Sequence, residues 1–194
     1  MDKHQELMDE AYDRWKKGGD LENTSRIVFL DKLTTHQRMA VVLGNMNYQV
    51  ENGGWNQWVD NGYCTSYPHL MDALETLGTD NAKKIITMLD TIGDDLRDDV
   101  ISGTCNDGGC GGTYFNDDKY GEQEEDCYNC NGEGTVSEWN DDTENDEDIT
   151  CEQCGGDGVI TEEMSAPDYD ELTSKFYDIN DKFMEECNEF LSND

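Results

Sequence analysis

Apolar residues recur at spacings of three and four along much of the chain, and each such run predicts a helix with one buried face. Between Lys3 and Lys17 the stripe is Leu7, Met8, Ala11, Tyr12 and Trp15, stopped by Gly18 and Gly19. Arg26 to Leu30, "RIVFL", is a short apolar segment expected to be buried, with too few residues to fix its type. Thr34 followed three residues later by Gln37 predicts a capping box. Met39, Val42, Leu43, Met46 and Val50 then form the inward face of a helix expected to end at Gly53-Gly54. The stretch "VENGGWNQWVDNGY", 50–63, reads as a structural corner, with Trp55 and Trp58 plugging the core from a short helix. Ser66 and Pro68 open a helix lined by Leu70, Ala73, Leu74 and Leu77. Gly78-Thr79 separates it from one carrying Ile85, Ile86, Leu89 and Ile92, so the two form a helical hairpin. One closing helix is predicted with Pro167 in its first turn and Leu172, Phe176, Ile179, Phe183, Cys187 and Phe190 along its stripe. Cys187 there reads as a small core residue rather than a ligand.

The pattern fails between Thr104 and Glu163. That stretch holds 19 acidic residues against the single Lys119, which is incompatible with a conventional core. Within it "NGEGTVSEWNDDTENDEDIT" predicts a β-hairpin whose few apolar contacts are Val136, Trp139 and Ile149. The expected architecture is mainly α, a helical bundle-like domain carrying an inserted small β-hairpin module. Residues 1–103 form the first part of the helical domain, 104–163 the insertion, and 164–194 the C-terminal helix that completes it.

Cysteine chemistry explains how such an insertion folds. "CYNCNGEG" and "CEQCGGDG" repeat one pattern, CxxCxGxG, giving Cys127, Cys130, Cys151 and Cys154. A CxxC turn lets two thiolates reach one ion from adjacent tetrahedral corners, and the glycines let backbone amides turn toward the sulfurs. The reading is one structural Zn2+ held by these four residues, against disulfides or free thiols as the alternative. With every position taken by sulfur, such a site has no place for a reactive water. Over about thirty residues the pattern resembles the zinc-binding region of J-protein co-chaperones. That family has further repeats and an HPD signature, neither of which is present, so the resemblance does not imply co-chaperone activity. Cys105 and Cys110 form a degenerate cousin that would need Cys64 or Cys187 to complete a second site. Asp142, Glu144 and Asp146 alternate as in a calcium loop, but Glu147 stands where that loop needs glycine.

Net charge then restricts the partners. At −33, the chain carries the charge of about 16 base pairs of duplex DNA. Direct nucleic-acid binding is excluded on this ground, and a basic protein that normally grips DNA is the natural partner. The alternatives are a generic acidic protein from a high-salt organism or an acidic tail; acids inside the predicted helices argue against a mere tail. No apolar run reaches membrane-spanning length and the N-terminus lacks a secretion pattern, which predicts a cytoplasmic protein without membrane attachment.

The corner Asn52, Gly53, Gly54, Trp55, Gln57, followed by Ala73, Leu74 and Gly78, resembles the all-helical family that includes a Neisserial DNA-mimic protein, and the closing Phe176-Tyr177 pair fits the same family. The resemblance covers roughly residues 20–103 and 165–194, so the cysteine module is a departure from it. It implies a helical fold and a homodimer; the family's mimicry transfers only through the charge, which together with it predicts a DNA-mimicking inhibitor that occupies the DNA-binding groove of a basic host nuclease, defence factor or transcription regulator, with a phage or mobile element as the expected source. Candidate partner contacts are Asp94, Asp95, Asp98 and Asp99, with Glu122, Glu124, Glu125 and Asp126, and Asp141, Asp142, Glu144, Asp146, Glu147 and Asp148. The alternatives are a zinc-hairpin interaction or chaperone-like module, and an immunity protein against a nuclease toxin. An enzyme is not expected: His4, His36 and His69 lack cysteine or serine partners, and neither a phosphate loop nor a nucleophile elbow occurs.

Overall fold

The computed structural model describes residues 3–17, 26–103, 114–116, 119–140, 145–165 and 167–193. They fall into two compact units, Met1–Asn116 with Pro167–Asp194, and Asp117–Ala166. Mainly α architecture with small two-stranded sheets is what the pattern predicts.

In the helical unit, α1 (Lys3–Lys17) packs on α3 (Thr35–Asp60). The contact is close because Gly44 has no side chain: a Cβ there would meet the Met8 sulfur and the His4 ring. His4 is buried, and its Nε2–H donates to the Ala40 carbonyl at 2.8 Å, which ties the start of α1 to the middle of α3. The segment 26–30 is helical, within α2 (Arg26–Asp31), but it is not uniformly buried: Phe29 and Leu30 are, whereas Val28 is exposed. The capping box at the start of α3 is present in both directions. Gln37 N–H donates to Thr34 Oγ1 at 3.3 Å, and Thr34 N–H to Gln37 Oε1 at 3.4 Å.

The helix does break at Gly53-Gly54, but it resumes at once. Both glycines leave helical geometry, Gly54 at φ 74°, and the second limb carries Trp55 and Trp58 inward. Both rings are fully buried, 5.7 Å apart and edge-on, with Phe176 5.6 Å from Trp55. Each buried ring removes about 150–250 Å² from water, so this trio anchors the core. The helices α4 (Tyr67–Leu77) and α5 (Asp80–Gly93) pack as the expected hairpin, with Thr79 capping the second through Ala82 N–H. Met88 is buried on α5, while Ile86 is only half-buried. A four-residue helix, α6 (Asp98–Ile101), follows. The Leu96–Phe115 bridge ties residues 114–116 to this region.

The closing segment is two helices rather than one. α7 (Asp170–Tyr177) and α8 (Asn180–Ser192) are separated at Asp178 and Ile179, where φ of Ile179 reaches −118°. The apolar spacing runs straight across this break, because Phe176, Phe183 and Cys187 are all buried on the same side of the pair. Pro167 lies before α7 rather than in its first turn; its carbonyl accepts from Asn56 Nδ2 at 3.0 Å.

The second unit contains β1 (Gly121–Asp126), β2 (Thr135–Asn140), β3 (Asn145–Thr150) and β4 (Val159–Met164). The expected hairpin is β2–β3. A further antiparallel ladder, β1–β4, has no signal in the hydrophobic pattern and flanks the cysteines on the other side in sequence.

Candidate functional site

The second unit is built as a duplication. Shifting the numbering by 24, the separation of Cys127 from Cys151, superposes β1 on β3, each cysteine on its counterpart and β2 on β4. Each half runs strand, CxxCxGxG turn, strand, and the hydrogen bonds repeat in step. Cys127 N–H donates to the Gly158 carbonyl at 2.8 Å, and Cys151 N–H to the Gly134 carbonyl at 2.9 Å. Gly134 N–H points at Cys130 Sγ, 3.2 Å away, and Gly158 N–H at Cys154 Sγ, 3.3 Å away.

Two glycines lock the halves together. Gly134 and Gly158 have φ of 75° and 80°, and a Cβ on either would strike a carbonyl oxygen of the opposite half, that of Gly156 and Gly132 respectively. The motif's last glycine is therefore required twice over, by left-handed backbone and by close approach.

This folding brings Cys127, Cys130, Cys151 and Cys154 together, with all four sulfurs within 4.8 Å of one another. Cys127 and Cys151 sulfurs are 3.8 Å apart and those of Cys130 and Cys154 3.7 Å. A disulfide needs about 2.05 Å, so none is formed across these pairs. A tetrahedron with arms of about 2.3 Å has edges of about 3.8 Å, so the spacing fits a zinc-sized ion with four thiolate ligands. The cluster forms the small apolar centre of this unit, with Val136 and Ile160, again equivalent residues, packed against it.

The thiols are not equal. Cys151 is pushed down to about 6, first by the Asn129 side-chain amide, which donates to its sulfur at 3.4 Å, and then by backbone N–H groups. Burial pushes Cys130 up to about 11, partly offset by the Gly134 N–H. Amide donors aimed at sulfur stabilise thiolate, the form a metal requires. Cys105 and Cys110 lie outside the described residues. Cys64 and Cys187 are buried in the helical unit, where Cys64 Sγ faces the Val59 carbonyl.

The acidic candidates divide by what holds them. Asp94 and Asp98 are exposed. Asp95 accepts from the Tyr169 hydroxyl at 3.0 Å, and Asp99 accepts from Val100 N–H at 3.1 Å and pairs with Arg97 at 3.3 Å, so these two serve local structure. In the cysteine unit, Glu124, Glu125, Asp126, Asp146, Glu147 and Asp148 are exposed. Glu122 lies on β1 in register with Glu163. Asp141, Asp142 and Glu144 lie outside the described residues, as do most of the proposed calcium-like positions. Acids recur in step with the repeat, Glu124 with Asp148 and Glu133 with Asp157, all four exposed. Across β2–β3, Glu138 stands directly opposite Glu147, both exposed. Among the described residues no helix is long and apolar enough to cross a membrane.

The molecule is thus of the class of mainly helical proteins carrying a small four-cysteine module that could hold a metal ion, with exposed acids on both units. Residues 31–126 match the family of DMP19-like proteins, a span that takes in α3 to α6 and ends on the last residue of β1. The match leaves out α1, all four clustered cysteines, β2 to β4 and the closing helices. No curated protein and no solved structure matches the chain.

Proposed function

We propose that the chain is a DNA mimic that inhibits a basic DNA-binding protein by occupying its nucleic-acid groove, without catalysis. The observation that carries this reading is the exposed acidity repeated along both units, with Asp94 and Asp98 on one and Glu124, Glu133, Asp148 and Asp157 on the other. A net charge of −33 repels itself in any compact state, so exposed acids at this density cost stability that solubility alone does not require. The resemblance of residues 31–126 to DMP19-like proteins supports the same reading, since that family includes a DNA mimic.

Carboxylates on two kinds of rigid support then replace phosphates. Asp94 and Asp98 project from the helical unit, and Glu124, Glu133, Asp148 and Asp157 from the duplicated turns and strands. Cys127, Cys130, Cys151 and Cys154 would hold the zinc, which supplies structural closure and a formal site charge of −2, adding to the field. The setting is cytoplasmic, and a phage or other mobile element encoding an inhibitor of a host nuclease, defence factor or regulator fits it.

The test is capture of partners by the tagged chain from a nuclease-treated bacterial lysate, eluted with rising salt. DNA-binding proteins released in a steep salt-dependent step, and displaced by added duplex DNA, are the expected result. Partners that do not bind DNA, released with little salt effect, would overturn the reading and make the cysteine module itself the binding device.

A further inference from the structure

Among the large apolar side chains left exposed, Tyr48 lies on, and Tyr177 reaches, one stretch of α3 just before the Gly53-Gly54 break. Tyr48 is 62% exposed and Tyr177 50%. Tyr177 reaches α3 from α7: its hydroxyl donates to the Val50 carbonyl at 3.0 Å and also lies 3.4 Å from that of Glu51. Its placement follows from the glycine corner. Gly54 leaves room for Thr173, whose Oγ1 accepts from Trp55 N–H at 3.1 Å, and Tyr177 lies one turn further along α7.

The same stretch of α3 carries a fixed carboxylate. Glu51 Oε1 accepts from Asn180 Nδ2 at 2.7 Å, and Oε2 from Asn47 Nδ2 at 3.2 Å. Two amides from different helices therefore orient it, and no lysine or arginine among the described residues pairs with it. Tyr48 and Glu51 are three residues apart and share a face of α3. Asn52 Nδ2 donates to the Tyr48 carbonyl and stiffens the same turn.

We infer that this face, Tyr48, Glu51 and Tyr177, is an arginine-binding surface, and that its occupant is an arginine side chain of the basic partner proposed above. The inference rests on that functional reading and names the contact within it. A guanidinium is planar, stacks on a tyrosine ring and forks onto a carboxylate, whereas an ammonium makes only the charge contact. A carboxylate already held by two amides, and rings with few rotatable bonds, lose little freedom on binding. Charge selects the occupant: on a chain at −33, an exposed aromatic pair beside an unneutralised carboxylate favours a cationic guest over an apolar one or a second copy of itself. Because ring stacking is insensitive to salt, this face supplies the part of affinity that carboxylates alone lose as salt rises.

The probe is a pair of synthetic peptides, alternating arginine–alanine and its lysine twin, titrated against the whole chain by fluorescence anisotropy over a salt series. The arginine peptide should bind about tenfold tighter. Tyr48→Ala should abolish that preference while leaving the salt slope unchanged, and Tyr48→Phe, which keeps the ring, should retain it. Equal affinities in the unmodified chain, or a preference that survives Tyr48→Ala, overturn the inference while leaving the mimicry reading intact. If neither peptide binds, both fall. If sedimentation shows that the Tyr48 face is buried between two copies, released by Tyr48→Ala, the occupant is the chain itself and the inference is overturned.

Discussion

The two units reach order by opposite means. The helical unit buries Trp55, Trp58, Phe176, Phe183 and a run of aliphatic side chains completely, and its polar groups serve caps and cross-links such as Thr34–Gln37 and His4–Ala40. Among the described residues of the unit from Asp117 to Ala166, the buried members of its apolar cluster are Cys127, Cys130 and Cys151, and β3 is exposed along its whole length. By area alone the second could not offset its conformational entropy, at about 1–2 kcal/mol per ordered residue for the backbone. Apolar burial thus organises one unit, and under the proposed function metal coordination by the four clustered cysteines organises the other. Each therefore has its own point of failure.

Metal removal should produce the largest effect. Structural zinc in small modules contributes about 10–16 kcal/mol of apparent binding free energy, so chelation or Cys127→Ser should abolish order in the cysteine unit altogether. Amide NMR dispersion of 119–165 should collapse while helical circular dichroism from α1 to α8 persists, and elemental analysis should show one zinc per chain before treatment and none after. Loss of helical signal in parallel would break the comparison. Next in size is Trp58→Ala. Removing a fully buried indole from the helical core should cost about 3–5 kcal/mol and lower that unit's melting temperature by roughly 10 °C or more. Zinc content should stay unchanged, the reverse of the first result. Smallest is Asp148→Asn, an exposed position on β3, which should change the stability of the cysteine unit by no more than about 0.5 kcal/mol in chelator titrations. Under the proposed function the same change weakens partner capture, so binding should move while stability does not.

How much of this was legible depended on whether sequence and structure speak through the same signal. The four cysteines were fully legible because ligand type and spacing are dictated by coordination chemistry, and the capping box because Thr34 and Gln37 act within one turn. The β1–β4 ladder was not, since "GEQEED" has no apolar alternation; its pairing is imposed by the turns that precede Thr135 and Val159, with the Cys127–Gly158 hydrogen bond closing it. The break at Asp178 and Ile179 was hidden for the converse reason. The stripe from Phe176 to Phe183 keeps helical spacing through it, and neither glycine nor proline marks it. Tyr177, which the pattern leaves off the core stripes, reaches the α3 stretch that carries Tyr48 only through the tertiary seat of Thr173 on the corner.

The offset of 24 that relates the halves of the cysteine unit also bears on how it closes. A single half brings two thiolates to an ion and cannot complete a tetrahedron, nor can its final glycine find the carbonyl it packs against. Such a half is complete only as a pair of separate chains sharing one metal, an assembly that dilution dissolves. Carrying both halves in one polypeptide makes closure independent of protein concentration. The halves are not identical: Asn129 stands where the other has Gln153, and Tyr128 where it has Glu152, so the clasp has two distinguishable sides.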